Sequence, residues 1–368
     1  MDTAICTAMY ALLLLSSLGT SLARAQPVPL KLPIRAAVDA LGNVYIAEAA
    51  ARRIARFDAD GDLLGRFGGP GDAPGEFTQI TDLAVDASGR VLVLDRPAHA
   101  VHRFSALGEF IDKLQLRPAH LAPVFNALAV DATGRLWVAD DDGLLSAYDA
   151  SGGFIASRPL GGASGRDTPG RLTFDGRQRL YVVDRANHRI QRFNTDGPPT
   201  DPLVFSGWIG ACSGGPKCEV LAEDAAGTGG RRGPGRTLSW CLNPADCGHP
   251  VAGVGLGRFS ALTHVSAAPS GELVASDLNA PGLQKFDANG RYTGLLALRG
   301  HDVGRTGSAD PTAIGPDGSI YTLQPFIGRV TKFSASGGFV TVFGGGIDIS
   351  STGAPVSRFP SPQGGMPQ

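Results

Sequence analysis

His264, Asp82 and Asn126 are the side chains of this chain whose types fit a metal site: an imidazole, a carboxylate and an amide oxygen. That donor set could hold a calcium ion or a weakly bound zinc. Each stands just before a short apolar run within a repeated pattern, and the matching places elsewhere are taken by Arg35, Gly170 and Pro311. His301 and Asp302 lie in the segment leading to the last of these. Polar groups converging on one point suit a ligand site. The plainer alternative is a set of groups hydrogen-bonded around channel water.

Three further groups of residues invite chemistry. An acid recurs at the end of a second apolar run, at Glu48, Asp95, Asp140, Asp184 and Asp277. An active site is normally single, so repetition in five places favours a structural role, accepting hydrogen bonds in turns or pairing with Arg53 and Arg189. Cys212, Cys218, Cys241 and Cys247 lack the two-residue gaps of a zinc site and read as two disulfides of undetermined pairing. Trp208 and Trp240, with Arg231, Arg232 and Arg236, lie among them and carry the composition of a binding surface. Equally, the tryptophans could be buried in a stapled loop.

The elements that must position these residues are repeats. Six segments share one grammar: apolar strand, Gly turn, second apolar strand, polar turn, third strand ending in an aromatic, Gly turn, fourth strand. The first turns fall at Gly42, Gly89, Gly134, Gln178, Gly271 and Gly318, and the aromatics are Phe57, Phe104, Tyr148, Phe193, Phe286 and Phe333. The aromatic follows the turn by fifteen residues in five copies and by fourteen in the third, and copies recur every 44 to 47 residues apart from one gap of 93. A period of this size with four short strands predicts an all-β, six-bladed β-propeller. The middle of each first strand is small (Ala37, Ala84, Ala129, Thr173, Ser266, Ala313), as crowding near a central axis requires. The aromatics are expected to pack between blades. The long gap predicts a disulfide-stapled insertion, 206–258, between blades 4 and 5.

Chain direction then sorts the loops. The start of each first strand, the turn between second and third strands, and the insertion share one rim. Long connections on one face of a rigid scaffold are the usual place for binding.

The fourth copy reads YVVDRANHRIQRF from Tyr181 to Phe193 and resembles the NHL repeat. The resemblance covers roughly 34–205 and 259–344. It implies a six-bladed propeller, in agreement with the count of copies, and a binding platform for function. It also brings in relatives of similar architecture that are zinc- or calcium-dependent lyases or lactonases, and intracellular ones that bind RNA. The zinc-dependent lyases use three histidines on the rim. Here His264 alone occupies the column, with His301 nearby.

The N-terminus carries an apolar run, Ala8 to Leu18, followed by Ala23-Arg24-Ala25, the pattern of a signal peptide cut before Gln26, although no Lys or Arg precedes the run. The expected division is a signal at 1–25, a propeller at 26–343 and a disordered tail at 344–368, placing the protein outside the cytoplasm, secreted or periplasmic. Lys+Arg 33 against Asp+Glu 34 leaves a net charge of −1, which gives no global attraction for nucleic acid. No G-x-S-x-G elbow, H-E-x-x-H helix or P-loop is present. The expectation is a monomeric binding module, without resident cofactor or membrane span, whose partner is a protein, small molecule or glycan on the insertion-bearing rim. The competing expectation is a metal-dependent lyase or lactonase at the channel mouth.

Overall fold

At Gly42, Gly89, Gly134, Gly271 and Gly318 the backbone takes φ between +80° and +91°, and Gln178 follows at +59°. This left-handed turn reverses the chain between the first two strands of every blade. In four blades an aspartate opens it (Asp39, Asp86, Asp131, Asp175), its carboxylate accepting the N–H groups two and four residues on. The computed structural model describes residues 29–117, 123–160, 169–197, 203–214, 240–242, 248–253, 256–298 and 312–345. The signal segment, Cys218, Cys247, the arginines at 231, 232 and 236, His301, Asp302, Pro311 and the tail beyond 345 fall outside them.

The strands form six antiparallel sheets, five of four strands and one of five. In each, the strand first in sequence lies at one edge: Pro33–Val38, Ile80–Val85, Phe125–Val130, Pro169–Phe174, Leu262–Ala267 and Thr312–Ile314. These six strands pack in ring order, and the last returns to the first. The chain is an all-β, six-bladed propeller.

An apolar cluster fills each of the six seams between blades. The repeated aromatics sit in them, all between 0% and 3% exposed. Phe57 meets Phe343 across the closing seam with ring centroids 4.9 Å apart, and Phe67 meets Phe104 across the next at the same distance.

A polar bond accompanies every cluster. The carbonyl two residues past each aromatic accepts a hydrogen bond from the preceding blade. Lys332 Nζ donates to Ala59 O (2.8 Å), Tyr45 Oη to Ala106 O (3.0 Å), Arg103 Nη1 to Ala150 O (2.9 Å), Arg135 Nη2 to Thr195 O (2.8 Å) and Lys285 Nζ to Ala335 O (3.3 Å). At the seam between blades 4 and 5 the donor is Trp240 Nε1 to Ala288 O (3.3 Å).

That last bond corrects the expectation for the tryptophans. Trp208 is 2% and Trp240 8% exposed. Trp240 stacks near Tyr181 (5.7 Å between centroids) and lies under the Arg192 guanidinium (4.2 Å). Neither ring is open to a ligand; the segment closes a seam that the blade alone leaves short.

The insertion also begins later than 206. Val204–Gly214 is the fourth strand of blade 4, with a bulge that uses Gly207 at φ +131°. Gly248–Val251 adds a fifth strand on its end. The described part of the insertion therefore builds the outer edge of the blade. With about 4.8 Å between strands, it stands on the order of 19 Å from the innermost strand. Among the described residues no helix is long and apolar enough to cross a membrane.

Candidate functional site

Every described innermost strand but the sixth carries a register shift near its start, between Pro33 and Arg35, Ile80 and Asp82, Phe125 and Ala127, Pro169 and Leu172, and Leu262 and His264. Such a bulge turns one side chain out of the ladder and re-aims its neighbours. The column that results is read seven positions before each first turn: Arg35, Asp82, Ala127, Arg171, His264 and Pro311. Asn126 and Gly170 are each one residue out of it. The sequence-based column was thus shifted in two blades, and the shift hid Arg171.

Arg171 organises the site. From blade 4 its guanidinium crosses the axis to pair with Asp82 of blade 2 and reaches toward Ala36 O of blade 1 (3.5 Å). Arg35 Nε approaches the same Asp82 Oδ1 at 3.2 Å, and Arg35 Nη1 donates to His264 Nε2 of blade 5 at 3.4 Å. Asp82 also accepts Leu83 N and, from blade 3, Leu128 N, both at 2.9 Å. Five blades are thereby tied across the channel. Asp82 is 0%, His264 6% and Arg171 9% exposed.

A guanidinium has only donors, so Nε2 of His264 must accept and the ring proton sits on Nδ1. Among the described residues that Nδ1 is buried without a hydrogen-bond partner, as are Arg35 Nε and Arg171 Nε. Burial first, then the charges of Arg35, Arg171 and Arg185, hold His264 well below the ordinary imidazole value. The ring is neutral near pH 7.

Arg185 follows the second strand of blade 4 and faces solvent on the same rim. Gly170 makes room for it: a Cβ there would lie 2.8 Å from Arg185 Nε and 3.0 Å from Thr263 O. Arg96 holds the equivalent place in blade 2, where its Nη2 donates to Asn126 Oδ1 at 2.9 Å. Asn126 therefore serves an arginine.

These contacts argue against Asp82, Asn126 and His264 as a metal set. A cation at Asp82 would have to displace two guanidinium groups, and Arg35 stands between the carboxylate and the imidazole. Among the described residues no group of three or more His, Cys, Asp or Glu is placed to hold an ion.

The recurring acids have the structural role that repetition suggests. Asp184 accepts Asn187 Nδ2 (2.8 Å), Arg189 Nε (2.7 Å) and Gln191 Nε2 (3.0 Å). Glu48 takes Lys31 N and Arg53, Asp95 takes Thr78 N and Gln79 N, and Asp277 takes Ser260 N and Ala261 N. Glu48, Asp95 and Asp277 tie the second strand to the chain entering their own blades, whereas Asp184 ties it to the following turn and third strand, and Asp140 caps the following turn through Asp142 N and Leu144 N.

The neutral state of His264 has a consequence for stability. Its folded value lies below the unfolded value of about 6.5, so below that pH the unfolded chain binds the extra proton and stability falls. His102, 0% exposed, is lowered by burial and Lys113 against the opposing pull of Asp95, and acts in the same direction. The expected loss sets in as pH falls below about 6.5, with a slope of at most about 1.4 kcal/mol per pH unit for His264 and a smaller addition from His102. Urea midpoints across that range should show it, and His264→Gln should flatten it. An unchanged slope in the variant would refute the assignment.

A family model, DUF5128, described as a 6-bladed beta-propeller, matches residues 37–133. No curated protein sequence matches the chain. Among solved structures it is similar to a streptogramin B lyase (12% identity, 89% of this chain and 90% of the other, TM-score 0.51). It is similar to virginiamycin B lyase from Staphylococcus aureus (12%, 87% and 87%, 0.51). A third is the β-propeller domain of Cps50 (Swd1) from Myceliophteria thermophila (12%, 84% and 99%, 0.52). At 12% identity these likenesses speak for the backbone alone: this chain has the six-bladed propeller fold.

Proposed function

We propose that this protein is an exported propeller of the NHL-repeat type that acts as a binding platform, with its working face on the rim where the first strands begin. The observation that carries the reading is the channel mouth itself. Side chains from four blades and a backbone N–H from a fifth meet there, and arginines outnumber carboxylates.

Two features of the same rim support it. Phe326, in the short turn Pro325–Ile327 of blade 6, is 93% exposed, and a lone exposed aromatic is the kind of anchor that interfaces use. Between blades 1 and 2 a cavity of about 480 Å³ opens among Leu32, Ile34, Arg52 and Gln79.

The NHL assignment draws support from the Asp184, Asn187, Arg189 and Gln191 network, which gives the repeat's polar signature a physical purpose. Export draws on the N-terminal pattern, with a mature chain starting at Gln26. Four cysteines forming two disulfides would suit that compartment. Cys212 packs against Trp208 and Cys241, and neither cysteine is a free thiol.

The test compares two single changes on opposite rims, against a panel of glycans and small molecules screened by calorimetry. Phe326→Ser should weaken any ligand found by tenfold or more. Leu41→Ser, in an exposed turn of the opposite rim, should leave it unchanged. The reverse pattern would overturn the reading. Turnover of a panel member, lost in His264→Gln, would favour a lyase or lactonase instead.

A further inference from the structure

The channel mouth holds more positive charge than its own acceptors can answer. Asp82 already receives two backbone N–H groups and two guanidinium groups. Both guanidinium groups and Leu83 N crowd its Oδ1, and Leu128 N takes one position on Oδ2, so the single carboxylate cannot answer the remaining donors as well. Donors around it remain: Arg35 Nε, Arg171 Nε and the His264 Nδ1–H are buried without a hydrogen-bond partner among the described residues, and the exposed Arg185 stands beside them. Arg185 makes no ion pair among the described residues, and it lies close enough to Arg35 and His264 to disfavour a positive charge on either. Three arginines face one carboxylate, which leaves two positive charges unanswered beside a neutral imidazole.

Water could satisfy the donors but not the charge, and burying unneutralised cations is costly. We infer that the channel mouth binds the dianionic oxyanion group of a small ligand, seated against Arg171, Arg185 and the Nδ1–H of His264. Guanidinium forks match carboxylate and phosphate oxygens in geometry as well as charge. Arg185 faces solvent, so it meets the ligand first; Arg171 and His264 receive it at depth. The overall charge of −1 confines the attraction to this mouth, which favours a small anion over a polyanion. The inference rests on the platform reading above and names the chemistry its channel mouth would recognise.

The test is calorimetric titration of the folded chain with inorganic phosphate and, separately, with succinate, in a low-salt buffer near neutral pH. Saturable binding of one ion per chain is expected for at least one of them. Phosphate alone would point to a phosphate ester as the natural group, succinate alone to a dicarboxylate, and both to selection by charge. Arg185→Ala, which removes no ion pair of the fold, should weaken binding about 10- to 100-fold. Arg171→Met should weaken it at least as much in any preparation that keeps its circular dichroism. No saturable binding of either anion, or binding unchanged in Arg185→Ala, would overturn the inference. Failure here with a Phe326-dependent ligand intact would leave the platform reading standing, and the converse would sink that reading alone.

Discussion

Asp82→Asn should cost about 3–5 kcal/mol of stability, read as a drop in the urea midpoint at unchanged slope. The substitution keeps the size of the side chain and removes the one charge facing Arg35 and Arg171. Both cations then remain in the channel without a carboxylate, and the amide nitrogen replaces an oxygen that accepted backbone N–H. Breaking a buried pair from one side costs far more than removing both sides. Asp82→Asn combined with Arg171→Met should therefore recover part of the loss, because a thioether chain fills similar volume without charge. Added phosphate should raise the midpoint of Asp82→Asn more than that of the unaltered protein. A loss below about 1 kcal/mol in the single variant would mean that the channel network contributes little to holding the blades.

Asp184→Ala should be the most damaging change in blade 4, at about 3–5 kcal/mol. Its carboxylate, 0% exposed, serves Asn187, Arg189 and Gln191, which are themselves 6%, 8% and 2% exposed. Removing it takes the counter-charge from a buried guanidinium and strips bonds from two amides in a region with little water to replace it. Asp149→Ala supplies the contrast. Asp149 caps an exposed turn through Ser151 N and Gly153 N, and its loss should cost about 1 kcal/mol or less. Similar losses for the two variants would show that burial of the motif is not what sets its worth.

The blades were legible because their punctuation is stereochemical. A left-handed turn demands Gly at five positions, and the distance from turn to aromatic is fixed by the lengths of two strands and the loop between them. Even Gln178, which breaks the Gly rule, keeps its place in the count and adopts the same conformation. Burial of the aromatics and the structural role of the recurring acids followed from the same periodicity.

What failed to read was irregular. The bulge at the channel mouth places an extra residue just where each first strand seems to begin, so Asn126 and Gly170 looked aligned when Ala127 and Arg171 are. The signal that would have found Arg171 was present: it stands before Gln178 at the distance that Arg35, Asp82 and His264 stand before their glycines. Composition also misled around Trp208 and Trp240. Gly207 and Gly210 made a strand look like a loop, since glycine weakens strand character while permitting the bulge that lets the strand turn. Whether a tryptophan in such a segment is buried depends on a seam contributed by another blade, and no local pattern reports that.

The most direct test of the account is a crystal structure of the protein soaked with inorganic phosphate. An oxyanion is expected at the axis of the propeller, within hydrogen-bond reach of Arg171, Arg185 and His264 Nδ1, with the Arg35–Asp82–Arg171 pairing intact. An empty channel mouth, or the ion seated only on the opposite rim, would contradict it.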